Sequence, residues 1–271
     1  MTNLIDTLQN IKDRKVNVVS KEVLDEMIAN IGSTDPILRD NMIYSAFWTL
    51  INNECLKEQQ IEYVLSELLN KQLLTLDIEK PMTDSVFTRT FTALFYAAIL
   101  HVDATKQKID AELVRKVIEV SHEFMEREQD LRGHDDVKGW AHAAAHGADL
   151  LSSIGKHPLA TEEDAKKILQ DIARMITIAE GYRDDEEERL ARAFVTVTKH
   201  HLTEAFIVEW ALKLEQYLNE KKSSNKTDLQ PYYAQLAYKN FLKSSYFLLE
   251  RLNEGKNLKD VIQQIIFRMM Y

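Results

Sequence analysis

Turn-forming residues are scarce in this chain, with seven glycines and four prolines among 271 residues. A protein of many short strands needs tight turns throughout, so the shortage excludes that class and predicts long helices with short connections. Cysteine is rarer still. Cys55 stands alone, which excludes an intramolecular disulfide and any multi-cysteine metal site. Basic tracts are missing too. With 43 acidic against 34 basic residues the formal net charge is −9, and no basic stripe interleaved with aromatics offers a surface for a phosphate backbone. Nucleic acid is therefore not an expected partner. The opening MTNLIDTLQN lacks a basic segment followed by an apolar one. The longest uninterrupted apolar run, Ala93 to Leu100, falls far short of the roughly 20 residues a spanning helix needs. No membrane is expected as partner, and a cytoplasmic location is the expectation.

What is present is helical periodicity. Hydrophobic residues make up 45% of the chain, enough for a sizeable core. Residues 3–13 and 20–31 read as two short helices forming an N-terminal cap. Asp35-Pro36 then reads as an N-cap followed by a proline at the first helical position. Ile43, Phe47, Leu50 and Ile51 continue it at i, i+4, i+7, i+8 spacing. Helical hairpins are predicted near 36–73, 84–127, 136–178, 185–219 and 231–269, all in one domain spanning 1–271. Their first helices start near 36, 85, 136, 185 and 231, a period of 46–51 residues. A period near 40–47 is typical of HEAT and armadillo repeats, in which stacked hairpins supply the core that each lacks alone. The predicted fold is all-α, a helical-hairpin solenoid of the HEAT/armadillo-like right-handed superhelical kind. An α/α toroid and a compact helical bundle remain alternatives. Asp77–Thr83 and Lys221–Asp228 read as linkers.

The middle of the chain carries the least ordinary stretch, Lys138-Gly-Trp-Ala-His-Ala-Ala-Ala-His-Gly-Ala-Asp149. Taken as a helix, it places Lys138, His142, His146 and Asp149 within about 80° of one another. The opposite side is apolar and mostly small, so a neighbouring helix can approach closely. Histidine and aspartate are poor helix formers, which suggests that these side chains have a role. Aligning the first helices by their starts puts Arg39, Arg89, Trp140 and Arg189 at one register position. Equivalent positions in stacked helices lie about 10 Å apart. Arg89 and Arg189 would then flank the histidine helix on one face. An ordinary alternative is that each arginine pairs with a nearby acid such as Asp40 or Glu186.

Four segments carry a family resemblance: Ser85-Val-Phe-Thr-Arg-Thr-Phe-Thr-Ala-Leu94, Asp130-Leu-Arg-Gly133, the Lys138–Asp149 stretch and Asp184-Asp-Glu-Glu-Glu-Arg-Leu-Ala191. Together they resemble the signature blocks of the bacterial domain of unknown function 2785 family, over most of the chain. The resemblance implies a bacterial, cytosolic, all-helical protein and brings no activity with it.

Three chemistries fit the residues. Histidines at i and i+4 have Cβ atoms about 5–6 Å apart, so His142 and His146 are candidate ligands of a divalent metal such as zinc. A zincin needs Glu directly after the first His, and Ala143 stands there. Lys138 one turn earlier works against a second cation. Alternatively Arg89, Lys138, Trp140, His142, His146 and Arg189 hold a carboxylate, a phosphate or another small polar ligand, with Asp149 orienting His146. The third reading is structural, with the histidines and Asp149 forming a satisfied polar seam between repeats. The acidic run from Asp184 has a local explanation, with Asp185 capping a helix and Glu188 at the capping-box position.

Whether the chain is an enzyme is left open. The lead expectation is a binding or scaffold module without a cofactor. Its groove, lined by the first helix of each hairpin, would take a protein segment or a small polar or anionic ligand. The alternative is a metal- or His-dependent hydrolase or lyase with His142, His146 and Asp149 as catalytic candidates. Oligomeric state is not legible.

Overall fold

A computed structural model describes residues 4–16, 18–224 and 227–270. The described residues form twelve α-helices and almost no strand, so the chain is all-α. By its contacts it divides into two compact units, residues 1–159 and 160–271.

The first unit contains α1 (Leu4–Lys12), α2 (Lys21–Ala29), α3 (Ser45–Asn52), α4 (Glu58–Asn70), α5 (Ser85–Lys106), α6 (Ala111–Arg127) and α7 (Ala143–Lys156). A π-helical stretch, Ile37–Tyr44, runs directly into α3. α1 packs on α3, α3 on α5, and α5 on α7, the last pair most extensively, while α2 packs on α4 and α4 on α6. Local chemistry accounts for these helices. In α6, Asp110 caps the start by accepting from the Leu113 N–H at 3.0 Å. Val114, Val117, Ile118, Ser121, Phe124 and Met125 then fall on one buried stripe. α7 brings alanines 143, 144, 145 and 148 and Gly147 to its buried surface. A Cβ on Gly147 would sit 2.3 Å from Met125 Sδ, so the glycine lets α6 close on α7.

α5 is the centre of this unit. It is the one described helix long and apolar enough to cross a membrane, although its uninterrupted apolar run is short. Within the fold 78% of that stretch is buried. Its C-terminal end is tied to the end of α7 by a buried carboxylate. Asp103 accepts from the Lys108 and Ile109 N–H groups at 2.8 and 3.2 Å, and its other oxygen lies 3.2 Å from His157 Nε2. His157 Nδ1 accepts from the Leu159 N–H, so Nε2 carries the proton that Asp103 receives.

The second unit contains α8 (Glu162–Thr177), α9 (Glu186–His200), α10 (Glu204–Ser224), α11 (Gln230–Leu252) and α12 (Lys256–Arg268). α11 packs on all four of the others, most extensively on α9, and α10 packs on α12. α8 opens with a capping box. Asp164 N–H donates to Thr161 Oγ1 at 3.2 Å, and Thr161 N–H donates to Asp164 Oδ2 at 2.8 Å.

Several sequence expectations need correction. The helix expected from 136 begins at Ala143, because residues 134–140 form a small β-hairpin in front of it. Lys138 and His142 therefore do not share a helical face with His146 and Asp149. Asp185 precedes α9 in a left-handed conformation, φ 62°, and its side chain makes no capping hydrogen bond. Three carboxylates in the first turn still suit the helix dipole. Cys55 lies in the turn between α3 and α4. Of the expected linker Lys221–Asp228, residues 221–224 belong to α10, and 225 and 226 lie outside the described residues, as does residue 3 of the first expected helix. The expected linker 77–83 is a run of turns.

Candidate functional site

The hairpin pairs β1 (His134–Asp135) with β2 (Gly139–Trp140), His134 opposite Trp140. Asp135 closes the turn by accepting from the Val137 and Lys138 N–H groups at 2.9 and 2.8 Å. Those two donors hold its carboxyl below the usual range. Gly139 follows at φ 74°, and a Cβ there would lie 2.7 Å from Pro36 Cβ, so both the turn and the close approach require glycine.

Beneath the hairpin lies Arg39, with no exposed surface. Its guanidinium sits over the Phe87 and Phe91 rings, 4.4 and 4.7 Å from their centroids. It donates to the Ser33 carbonyl at 2.6 Å and to the Lys138 carbonyl at 2.8 Å, so it fastens the hairpin to the helical body. Asp40 Oδ1 lies 2.7 Å from Arg39 Nε, an ion pair close in distance but without hydrogen-bond geometry. Burial pushes the Asp40 carboxyl up, while Arg39 and His134 pull it down. Sequence reading placed Arg39 at a register position but missed this role.

The chain leaves the hairpin through Ala141 and His142, whose N–H groups donate to the Gly133 and Arg132 carbonyls. His142 adopts φ 53°, ψ 40° and is the N-cap of α7; its carbonyl accepts the His146 N–H at 2.9 Å. A left-handed residue that is not glycine costs about 1–2 kcal/mol. The conformation turns the imidazole under the Trp140 indole, with ring centroids 4.8 Å apart and planes within 23°. His134 meets the same indole edge-on at 4.7 Å.

From there a line of ring contacts crosses three neighbouring helical segments. His142 meets His146 at 5.5 Å, His146 meets Phe91 of α5 at 5.3 Å, and Phe91 meets Tyr44 at the start of α3 at 6.1 Å. The imidazoles are buried, Tyr44 is half-buried, and Trp140 is 38% exposed. Trp48, one turn beyond Tyr44, sits against His101 of α5 with centroids 6.0 Å apart.

The charged residues expected beside these rings are engaged elsewhere. Lys138 Nζ contacts both carboxylate oxygens of Asp84, at 2.7 and 2.8 Å. Arg89 is fully buried and faces the interior. Its Nε and Nη2 donate to the two oxygens of the equally buried Glu128 at 2.6 and 2.9 Å, and Nη1 donates to the Leu76 carbonyl and Ser85 Oγ. Glu128 also accepts the Gln129 and Asp130 N–H groups. Asp130 in turn holds Arg132 and the Met82 N–H. Thus Asp130-Leu-Arg-Gly133 is a strut that leads the chain from α6 into the hairpin. Glu128, Asp130 and Arg132 lay outside the expected site residues, although Asp130-Leu-Arg-Gly133 stood among the segments that carry the family resemblance.

Asp149 is half-buried on α7, and its carbonyl accepts from Ser153 Oγ. Arg189 lies on α9 in the second unit, half-buried. Among the described residues no group of three or more His, Cys, Asp and Glu side chains is placed to hold a metal ion, so the His142–His146 pair lacks a third side-chain ligand of these types. What the arrangement presents is an exposed indole stacked on a buried imidazole, a surface suited to stacking.

Comparison with known proteins finds one family, described as "Protein of unknown function (DUF2785)", matching residues 74–247, from the approach to α5 into α11. No curated protein and no solved structure matches.

Proposed function

The chain belongs to this family of unknown function, and from that premise we propose that it is a non-enzymatic binding module. Its ligand, a protein segment or a small polar molecule, lies across the line of rings that joins the β-hairpin to α7, α5 and α3. The observation that carries this reading is the Trp140–His142 stack. An exposed indole is held on a buried imidazole whose backbone stands in an unfavourable conformation. Non-glycine residues in such conformations concentrate at functional positions. Trp140 would stack on a flat group of the ligand, while His142 and His146 tune the surface behind it.

An anionic ligand is less well supported, since Arg89 and Lys138 already hold Glu128 and Asp84. A hydrolase or lyase centred on the histidines would draw on Arg89 and Arg189 to stabilise charge, and Arg89 is already bound to Glu128. The finer architectural reading is a helical-hairpin solenoid. It is supported by the contact order α1–α3–α5–α7 beside α2–α4–α6. It is also supported by Arg39 and Arg89, which share a register position and a buried tethering role. An acidic surface and a lone cysteine suit a cytoplasmic setting.

The test is a thermal-shift screen of polar metabolites and synthetic peptides against the wild type, Trp140→Ala and Phe247→Ala. Phe247 is an exposed ring on α11 and serves as the control. A ligand at about 100 times its Kd stabilises by about 2.7 kcal/mol. The proposal expects stabilising compounds to act on the wild type and Phe247→Ala alike and to lose their effect on Trp140→Ala. Undiminished stabilisation of Trp140→Ala would overturn it.

A further inference from the structure

A second site lies away from the rings, at the other end of α5. There the α3–α4 turn meets the end of α5 and the α5–α6 turn around a cleft of about 380 Å³. Its walls are mostly aliphatic, with Leu50, Ile51, Leu56, Ile99, Val102 and Ile109; the buried Asp103 carboxylate, already held by the Lys108 and Ile109 N–H groups and His157, also lines it, and no aromatic side chain does. Flexible branched walls without a flat ring suit a flexible chain better than a planar molecule. The volume falls within the roughly 300–1,000 Å³ of small-molecule sites, towards the small end.

The rim is charged. Lys106 Nζ reaches Glu54 Oε1 at 2.8 Å, and Lys108 Nζ reaches Glu58 Oε1 at 3.2 Å. Both pairs join the α5 side of the cleft to the α3–α4 side, and all four side chains are well exposed. Exposed pairs of this kind contribute about 0–1 kcal/mol, so they yield easily to an entering ligand. Lys57 stands on the same rim between Glu54 and Glu58 and makes no ion pair among the described residues. Glu54 itself holds φ 55°, which fixes the turn carrying that rim.

We propose that this cleft binds a medium-chain aliphatic carboxylate of the octanoate class. The hydrocarbon chain lies among Leu50, Ile99, Val102 and Ile109, and the carboxylate meets Lys57. Nothing in this proposal depends on the rings around Trp140, so either site stands without the other.

The experiment is calorimetric titration of the full chain with hexanoate, octanoate, decanoate and octan-1-ol below their aggregation limits. Saturable one-to-one binding is expected, tightening about fourfold per added methylene until the cleft is full. Val102→Phe, which places a ring in the cleft from a half-buried position, should weaken octanoate by about tenfold or more. Lys57→Ala should weaken octanoate about two- to fivefold and leave octan-1-ol unchanged. If Val102→Phe fails to fold, Ile61→Phe fills the same cleft, which Ile61 also lines, and the methyl resonances of Ile99 and Ile109 report occupancy in the wild type. Absence of saturable binding, octanoate affinity unchanged by the filling variant, or equal octanoate affinity in Lys57→Ala would each overturn the proposal.

Discussion

His142 shows how one residue can carry opposing demands. Its left-handed backbone allows the chain to leave the hairpin and enter α7 at once, and its ring supports the Trp140 indole. Glycine would meet the backbone demand and lose the ring, whereas alanine would lose the ring and keep the strain. We therefore expect His142→Ala to be less stable than His142→Gly by about 1 kcal/mol in urea unfolding, the reverse of their order inside a helix. Arg89 makes a different case. It and Glu128 are wholly buried and satisfy one another bidentately, so removing either leaves an uncompensated charge. Arg89→Met should cost about 3–5 kcal/mol, and the Arg89→Met/Glu128→Leu double variant should cost clearly less than the sum of the two single changes. Additive losses would mean that the pair is not a unit. The sequence marked Arg89 through its register, but its partner is 39 positions away with no period to reveal it. A separation of 54 positions likewise hid the contact between Asp103 and His157.

At the scale of elements, hydrophobic periodicity made most of the helices legible. The stripe Val114, Val117, Ile118, Phe124 and Met125 marks α6 because one face must be buried. The hairpin at 134–140 was not legible in this way, since strands of two residues have no period. Its signal was turn chemistry, with Asp135 as backbone acceptor and Gly139 at positive φ. Gly139 was absorbed into a helix expected from 136, and the supposed common face of Lys138, His142, His146 and Asp149 followed from that error. The start of α9 offers a test of electrostatics at an element's end. Burial raises the Glu187 carboxyl above its ordinary 4.5, opposed in part by the Asn240 amide. The folded chain then holds this proton more tightly than the unfolded chain. The contribution to stability is greatest below the ordinary value and is lost as pH rises through the raised one. Glu187→Gln should therefore raise the melting temperature at neutral pH, and the gain should shrink as pH falls towards the carboxylate range. A gain independent of pH would point to packing instead.

At the scale of the molecule, the chain comprises two compact units, and the family match from 74 to 247 runs through the boundary at 159 without covering either unit completely. Each unit has its own core. In the first, α5 buries most of its length among α3, α4, α6 and α7; in the second, α11 contacts every other helix. A fragment of residues 1–159 should therefore fold on its own, with helical circular dichroism and a cooperative melt. A disordered fragment would show that its core depends on the remainder. The Trp140 face is the proposed binding surface. The three tryptophans test it most directly, because Trp48, Trp140 and Trp210 lie on α3, the hairpin and α10. In a chain labelled with ¹⁵N-tryptophan and assigned by single Trp→Phe variants, titration with a stabilising compound from the screen should move the Trp140 indole resonance and leave Trp210 in place. A compound that binds while Trp140 stays fixed would contradict the claim.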